Sequence, residues 1–584
     1  MLKKTLFILC AVLCLVFMVS CGKDQDDSLE NGNETDDPSD DTASDIPDDA
    51  ETDTEPAAED PDEGENRENQ ENNNEDPDEN YNEIVWEKST EPDPNPDFDT
   101  KTDALIVTRE EFAEVFKKFA VFHTVTGIIT KVITIENICE NAICDDNDPK
   151  NDTQKAIKDY VMSVEGLRYL VLGGDIEIVP SRMVHDHFEL PLGIADYTDD
   201  FYSDLYYADF SNWDLNDNGT YAEDEDVPGL IANIAVGRIS VSTVEEAELY
   251  FTKIVKHHTA FNTAHTTKSL LLANIATELS GIQVNSGYYF ETEGKTISRI
   301  PMNYTIKKLY TKSTPFPGGN TAEYLDNDSE KAAIEEGMNL IVHSGHGAPW
   351  LLTCEQGDDP DRDFSGTMAY ELKHETLPFF LSCACEAGQF GYKNGDSAGE
   401  KLMNAPEGGA IVYLGNTTTG LGIAGGSQFI DEIMKNMFAF PYSLIGESYI
   451  FAHLSMPQSD TFNPPIQMVN INVPVVNKDS WTWTKKSIVM LGDPMTVFWR
   501  DPVEPFKAEF TVETAENDEE KTVSLHFPPE LEGATLRVFA EDKLYEIPYL
   551  MYETVKINLD PSVTTITVGM KAENSQYFFK EFEI

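Results

Sequence analysis

Basic residues are scarce in this sequence: 41 Lys and Arg stand against 106 Asp and Glu, for a formal net charge of −65. A chain this acidic repels nucleic acid and anionic membrane surfaces, which excludes both as electrostatic partners. The scarcity is greatest between Asp24 and Asn82, where 26 residues are Asp or Glu, Arg67 is the sole base and large hydrophobes are nearly missing. Such a stretch buries too little apolar surface to offset its chain entropy, and reads as a disordered, self-repelling spacer. Long apolar runs are lacking as well. The run Leu6–Val19, behind Lys3 and Lys4, is too short to span a bilayer and has the build of a signal peptide over residues 1–20.

Cysteine is sparse too, with eight in 584 residues. Met18-Val19-Ser20-Cys21 resembles a bacterial lipobox, with Met18 where Leu is usual, and predicts that Cys21 carries lipid. The chain is then exported and anchored by its N-terminal lipid at a bacterial surface or outer membrane, with residues 21–100 as the tether. Cys10 and Cys14 leave with the signal, so Cys139, Cys144, Cys354, Cys383 and Cys385 remain. An odd number in an exported protein leaves either an orphan or a reactive thiol. Cys139 with Cys144, and Cys354 with Cys383, are the pairings considered.

From about Asp103 the composition turns globular. Leu105–Val107, Lys131–Ile135, Tyr169–Leu172, Ile234–Val236, Leu270–Leu272, Asn339–Val342, Phe379–Leu381 and Ile411–Leu414 read as short strands. Helical patterns at Glu110–Phe119, Lys155–Val164 and Val244–His258 alternate with them. This alternation predicts an α/β fold, a mostly parallel sheet flanked by helices. So many units over residues 101–503 predict two related halves divided near residue 260. After Val503 the pattern changes to period two, as in Val523–Phe527 and Val555–Leu559, which predicts a small Ig-like β-sandwich over residues 504–584. That domain carries no evident chemistry and is assigned to support or spacing.

Two segments end buried strands with unusual residues: Leu340-Ile341-Val342-His343-Ser344-Gly345-His346-Gly347 and Phe379-Phe380-Leu381-Ser382-Cys383-Ala384-Cys385-Glu386-Ala387-Gly388-Gln389-Phe390. Ligands of open α/β sheets gather at the carboxyl ends of strands. If the two strands are neighbours, a thiol meets an imidazole there, as attack on a carbonyl requires.

Strand–Gly-His-Gly and strand–Cys-x-x-Gly-x-Phe resemble the active-site segments of the gingipain family, in the caspase-like clan. Leu105–Thr108, Leu170–Pro180, Ser203–Asp209, Ala235–Ile239, Gly408–Thr417 and Leu491–Pro494 resemble family blocks in the same order. The resemblance implies a cysteine endopeptidase acting on protein or peptide, with Cys385 as nucleophile and His346 as its partner. It also implies an oxyanion hole from the amides of Gly347 and Cys385. Family members often carry an acid before Val-Gly-Arg to orient the His; the corresponding residue here is Asn233. The propeptide of well-known gingipains has no counterpart but the acidic spacer.

Two other readings stand beside this one. A non-catalytic surface lipoprotein of the same fold would serve adhesion or scaffolding. Alternatively, His343, His346, Cys383 and Cys385 would bind zinc. Separately, Asp214-Leu215-Asn216-Asp217-Asn218-Gly219-Thr220, continuing to Glu225, matches the calcium loop D-x-[DN]-x-[DN]-G-x5-E. Asp214, Asn216, Asn218, Thr220 and Glu225 are its expected ligands for a structural Ca2+, and Ala222 leaves the ninth position to water. No flanking helices are evident, so an isolated loop is expected.

Overall fold

A computed structural model describes residues 89–584, except 91, 190–195, 261, 280–281, 294–295, 312–321, 355–361, 423–424, 441, 457–465, 469–470, 474–477, 507–508, 517–519, 532, 552 and 572–574. The signal peptide, Cys21 and the acidic segment lie outside the described residues. None of the described helices is long and apolar enough to cross a membrane.

An eleven-stranded sheet organises the chain. Its strands are β1 Ala104–Thr108, β2 Thr130–Thr134, β3 Tyr169–Gly173, β4 Ala235–Ile239, β5 Lys268–Ala273, β6 Thr305–Tyr310, β7 Glu323–Tyr324, β8 Leu340–Ser344, β9 Phe379–Ser382, β10 Val412–Asn416 and β11 Ile488–Gly492. Across the sheet they run β7-β6-β5-β8-β9-β10-β11-β4-β3-β1-β2. Pairings are parallel from β7 to β10 and from β4 to β2, and β11 is antiparallel to β10. Seven strands, β1, β3, β4 and β8–β11, are buried along their length, because helices cover both faces. That is why they read as unbroken apolar runs.

The halves meet where Leu491 of β11 pairs with Arg238 of β4. Arg238 is fully buried, yet its donors are satisfied by Asp204, Gly174 O and Val179 O at 2.7–2.9 Å. Just past β4, Ser240 donates to Glu400 at 2.7 Å, on the helix Ala398–Met403 that follows the Cys385 loop. The carboxyl ends of both halves therefore open on one side.

Residues beyond Val503 supply three strands of one four-stranded sheet and all four of another, with alternating burial around Val523, Leu525, Leu536, Val538, Val555 and Val568. The tether expected to reach residue 100 ends sooner. Ser89–Thr90 add a strand beside Thr554–Val555, Asn95 N–H donates to Leu544 O at 2.6 Å, and Phe98 packs on Phe539. An extended segment with Phe98 to bury gains more from this edge than from solvent.

Candidate active site

The two singled-out strands are neighbours. β8 and β9 pair in parallel, with His343 opposite Ser382, and the Cys383 N–H donates to His343 O at 3.2 Å. Both loops thus leave adjacent strand ends. The His loop then folds back as a hairpin, Gly347–Ala348 against Leu351–Leu352. A Cβ on Gly347 would lie 2.9 Å from Ala384 Cβ and 3.0 Å from Cys385 O, so only glycine lets the His346 loop press onto the Cys385 backbone.

Cys385 is 7 % exposed, with its Sγ 3.6 Å from Gly420 O, and His346 is half-buried. The backbone around Cys385 is pinned on both sides. Asn416 Nδ2 donates to Ala384 O at 2.9 Å, and Glu386 N–H donates to Thr418 O at 2.8 Å. Glu386 itself sits at φ 57°, a left-handed conformation rare for a side chain that is not glycine and frequent at functional turns.

Cys383 is sealed in the core against Ser344 and Ser427, and burial pushes its thiol up. His343 is fully buried, bonded through Nδ1 to Ser382 Oγ at 2.9 Å; burial, then His346, drives it down to about 3. Both side chains bond serine hydroxyls, and no cluster of His and Cys able to hold zinc is found among the described residues. The expected Cys354–Cys383 pairing is overturned as well. Cys139 and Cys144 form a disulfide, whereas Cys354, Cys383 and Cys385 are free thiols. Cys354 lies instead 3.2 Å from Glu330 Oε2.

Asn233 is also corrected. It precedes β4 at that strand's amino end, opposite the end where Ser240 meets the helix after Cys385. Its Oδ1 accepts the Phe210 N–H at 2.9 Å, which fixes the 208–210 turn rather than an imidazole.

A feature invisible in the sequence borders Cys385. The antiparallel ribbon Arg182–Glu189 with Asp196–Ser203 brings Asp199 to Thr418, whose hydroxyl it accepts. Burial pushes the Asp199 carboxyl up, and also that of Glu386, with Asp199 adding to the latter. Tyr197 is raised by burial too, with Asp199, Glu386 and Cys385 all among its charged neighbours. Neither carboxylate has a Lys or Arg partner among the described residues. The signals available were the acid-rich run at Asp196–Asp200 and the acid next to Cys385.

The loop from Asp214, expected to hold calcium, is closed by its own hydrogen bonds and not by Glu225. Asp214 accepts the amides of Asn218 and Gly219 at 2.9 Å each, and Asn218 Oδ1 accepts that of Thr220 at 2.7 Å. Ala222 turns the chain at φ 61°, and Glu223, not Glu225, meets the Asn216 and Asn218 side chains. Glu225 is exposed; the buried Asp226 closes the loop on the Leu215 amide at 2.7 Å.

A model of peptidase family C25 matches residues 97–499. No curated protein matches the chain. Among solved structures, the complex of Porphyromonas gingivalis RgpB pro- and mature domains is similar at 16% identity and TM-score 0.52, over 82% of this chain and 99% of that one. The Arg-specific cysteine proteinase gingipain R (RgpB) is similar at 15% identity and TM-score 0.52, over 85% and 99%.

Proposed function

The chain belongs to peptidase family C25 and is a cysteine peptidase, and we propose that it is an exported endopeptidase with Cys385 as nucleophile and His346 as its base. The observation that carries this reading is the contact of the Gly347 turn with the Cys385 backbone, which sets the His loop on the Cys loop. His346 takes the thiol proton as Cys385 Sγ attacks the scissile carbonyl carbon. The tetrahedral oxyanion is held by the amides of Gly347 and Cys385, preorganised by the pinned backbone. As the C–N bond breaks, His346 returns the proton to the departing amine, leaving a thioacyl-enzyme. Water, deprotonated by His346, then releases the acid and the thiol.

Asp199 and Glu386 beside Cys385 favour a basic residue before the scissile bond. The lipid anchor at Cys21 and the export it implies belong to the same proposal and rest on the N-terminal motif. So does a structural calcium in the loop from Asp214, with Glu223 taking the place expected of Glu225.

The test is a peptide library profiled with the purified chain. Cys385→Ala and His346→Ala should each drop cleavage on the order of 10⁴-fold or more, while Cys383→Ala retains it. Labelling by iodoacetamide should fall on Cys385 first. A folded chain that cleaves no member of the library would favour the non-catalytic surface protein instead.

A further inference from the structure

Gly345 lies between two buried side chains. A Cβ there would sit 3.0 Å from His343 Nε2 and 3.1 Å from Asn274 Cβ. Asn274 follows β5 and is fully buried. Its main chain is locked, N–H to Ser344 O at 3.1 Å, while its carbonyl accepts both the Ser286 amide and hydroxyl at 2.9 Å. Its side-chain Nδ2 donates to Thr353 O at 2.9 Å and to Thr353 Oγ1 at 2.5 Å. Thr353 in turn sends two donors to one atom, the carbonyl of His346, from N–H at 3.1 Å and from Oγ1–H at 3.0 Å.

A polar chain thus runs from the end of β5 through Thr353 to the main chain of the catalytic imidazole. A second one runs beneath it: His343 Nδ1 to Ser382 Oγ at 2.9 Å, and the Ala384 amide to the same Oγ at 3.1 Å, one residue short of Cys385. The two chains meet at Gly345. There Asn274 Oδ1 is buried without a partner, while the His343 ring bonds the Thr353 backbone as well as Ser382.

We infer that Asn274 and Thr353 are positioning residues that hold the His346 loop in register with Cys385, the part that Asn233 does not play. The inference rests on the Cys385–His346 reading. A buried asparagine with its main chain locked on both sides is a rigid reference, and a threonine hydroxyl can accept from it and donate onward at once. Fixing the His346 carbonyl fixes where its imidazole can swing, and misplacement of about 1 Å costs on the order of 100-fold in rate.

The experiment compares Thr353→Val, Thr353→Ser and Asn274→Leu with the parent chain, reading kcat, KM, melting temperature and Cys385 alkylation rate. Thr353→Val and Asn274→Leu should lower kcat about 10- to 100-fold with KM within about twofold. Alkylation of Cys385 near neutral pH should slow toward that of His346→Ala. Thr353→Ser, which keeps the hydroxyl, should restore both. Equal loss in Val and Ser variants, or alkylation unchanged in Thr353→Val, would overturn the inference. Because alkylation needs no peptide, a chain whose Cys385 alkylation depends on His346 and Thr353 but which cleaves nothing sinks the endopeptidase reading alone.

Discussion

In the proposed function Asp199 and Glu386 line the pocket before the scissile bond, and their protonation decides what it attracts. Burial raises both, so each is neutral to a higher pH than an exposed acid and gains its charge as pH rises. A cationic side chain is attracted only by the ionised forms. The ratio of kcat/KM for Arg or Lys over a neutral residue before the scissile bond should therefore climb as pH rises through the raised titration of these carboxyls. Asp199→Asn should cut that ratio about 10- to 100-fold, since a hydrogen bond to a charged group contributes about 1.5–3 kcal/mol. Parallel measurements on Arg and Ala peptides check it. A ratio flat with pH, or unchanged in Asp199→Asn, would remove the pocket from substrate choice. By contrast Cys383, two residues from the nucleophile, is inert because no solvent reaches it. The adjacency of the His346 and Cys385 loops was legible at this scale, as each loop follows an apolar strand and carries glycine. Asp199 was not, because its meeting with Thr418 joins residues 219 apart in sequence.

At the scale of elements, the strands that could be read were those buried on both faces, whose apolar runs need no partner to be recognised. Thr305–Tyr310 escaped because Lys307 and Lys308 interrupt it and the short Glu323–Tyr324 is its outer neighbour. The ribbon Arg182–Glu189 escaped because only alternate residues are buried. Asn233 was misplaced for a related reason: counting back from Val-Gly-Arg gives a position but not which end of the strand faces the site. The loop at Asp214 shows both sides of such reading. Spacing foretold a tight turn lined by Asp214, Asn216 and Asn218, yet the left-handed Ala222 shifted the closing acids to Glu223 and Asp226. Bound calcium would stabilise this loop only when folded, by about 2.7 kcal/mol at a hundredfold excess over its dissociation constant. Melting temperature should accordingly fall on chelation. Glu223→Ala should erase that response while Glu225→Ala keeps most of it. Identical melting with calcium and with chelator disposes of the calcium reading.

The whole molecule is fastened at its two ends. The C-terminal sandwich lies on the peptidase half through Phe579 against Phe122 and Phe251, and through Tyr577 stacked on His258 and edge-on to Trp499. Contact is close enough that a Cβ on Gly569 would lie 2.4 Å from Val125 O. From the other side, residues 89–98 reach the same sandwich before the chain enters β1. The sandwich thereby holds the first residues of the peptidase domain and covers aromatic rings that would otherwise face water, which makes it more than a spacer. Removing residues 504–584 should expose Phe122, Phe251, His258 and Trp499 and free the 89–98 segment together. Each large apolar side chain returned to solvent forfeits about 1.5–3 kcal/mol, against a total stability of about 5–15 kcal/mol. The truncated chain should therefore melt well below the parent and tend to aggregate. Phe579→Ala, which removes one ring and leaves the rest of the sandwich in place, should lower stability by about 3–5 kcal/mol if that ring is fully packed, and by less at its partly buried position. Activity per folded molecule should persist in Phe579→Ala, because Cys385 and His346 sit in the loops after β9 and β8, in the other half of the sheet. Calorimetry with active-site titration separates the two quantities. A truncation that melts with the parent would return the sandwich to the role of a spacer.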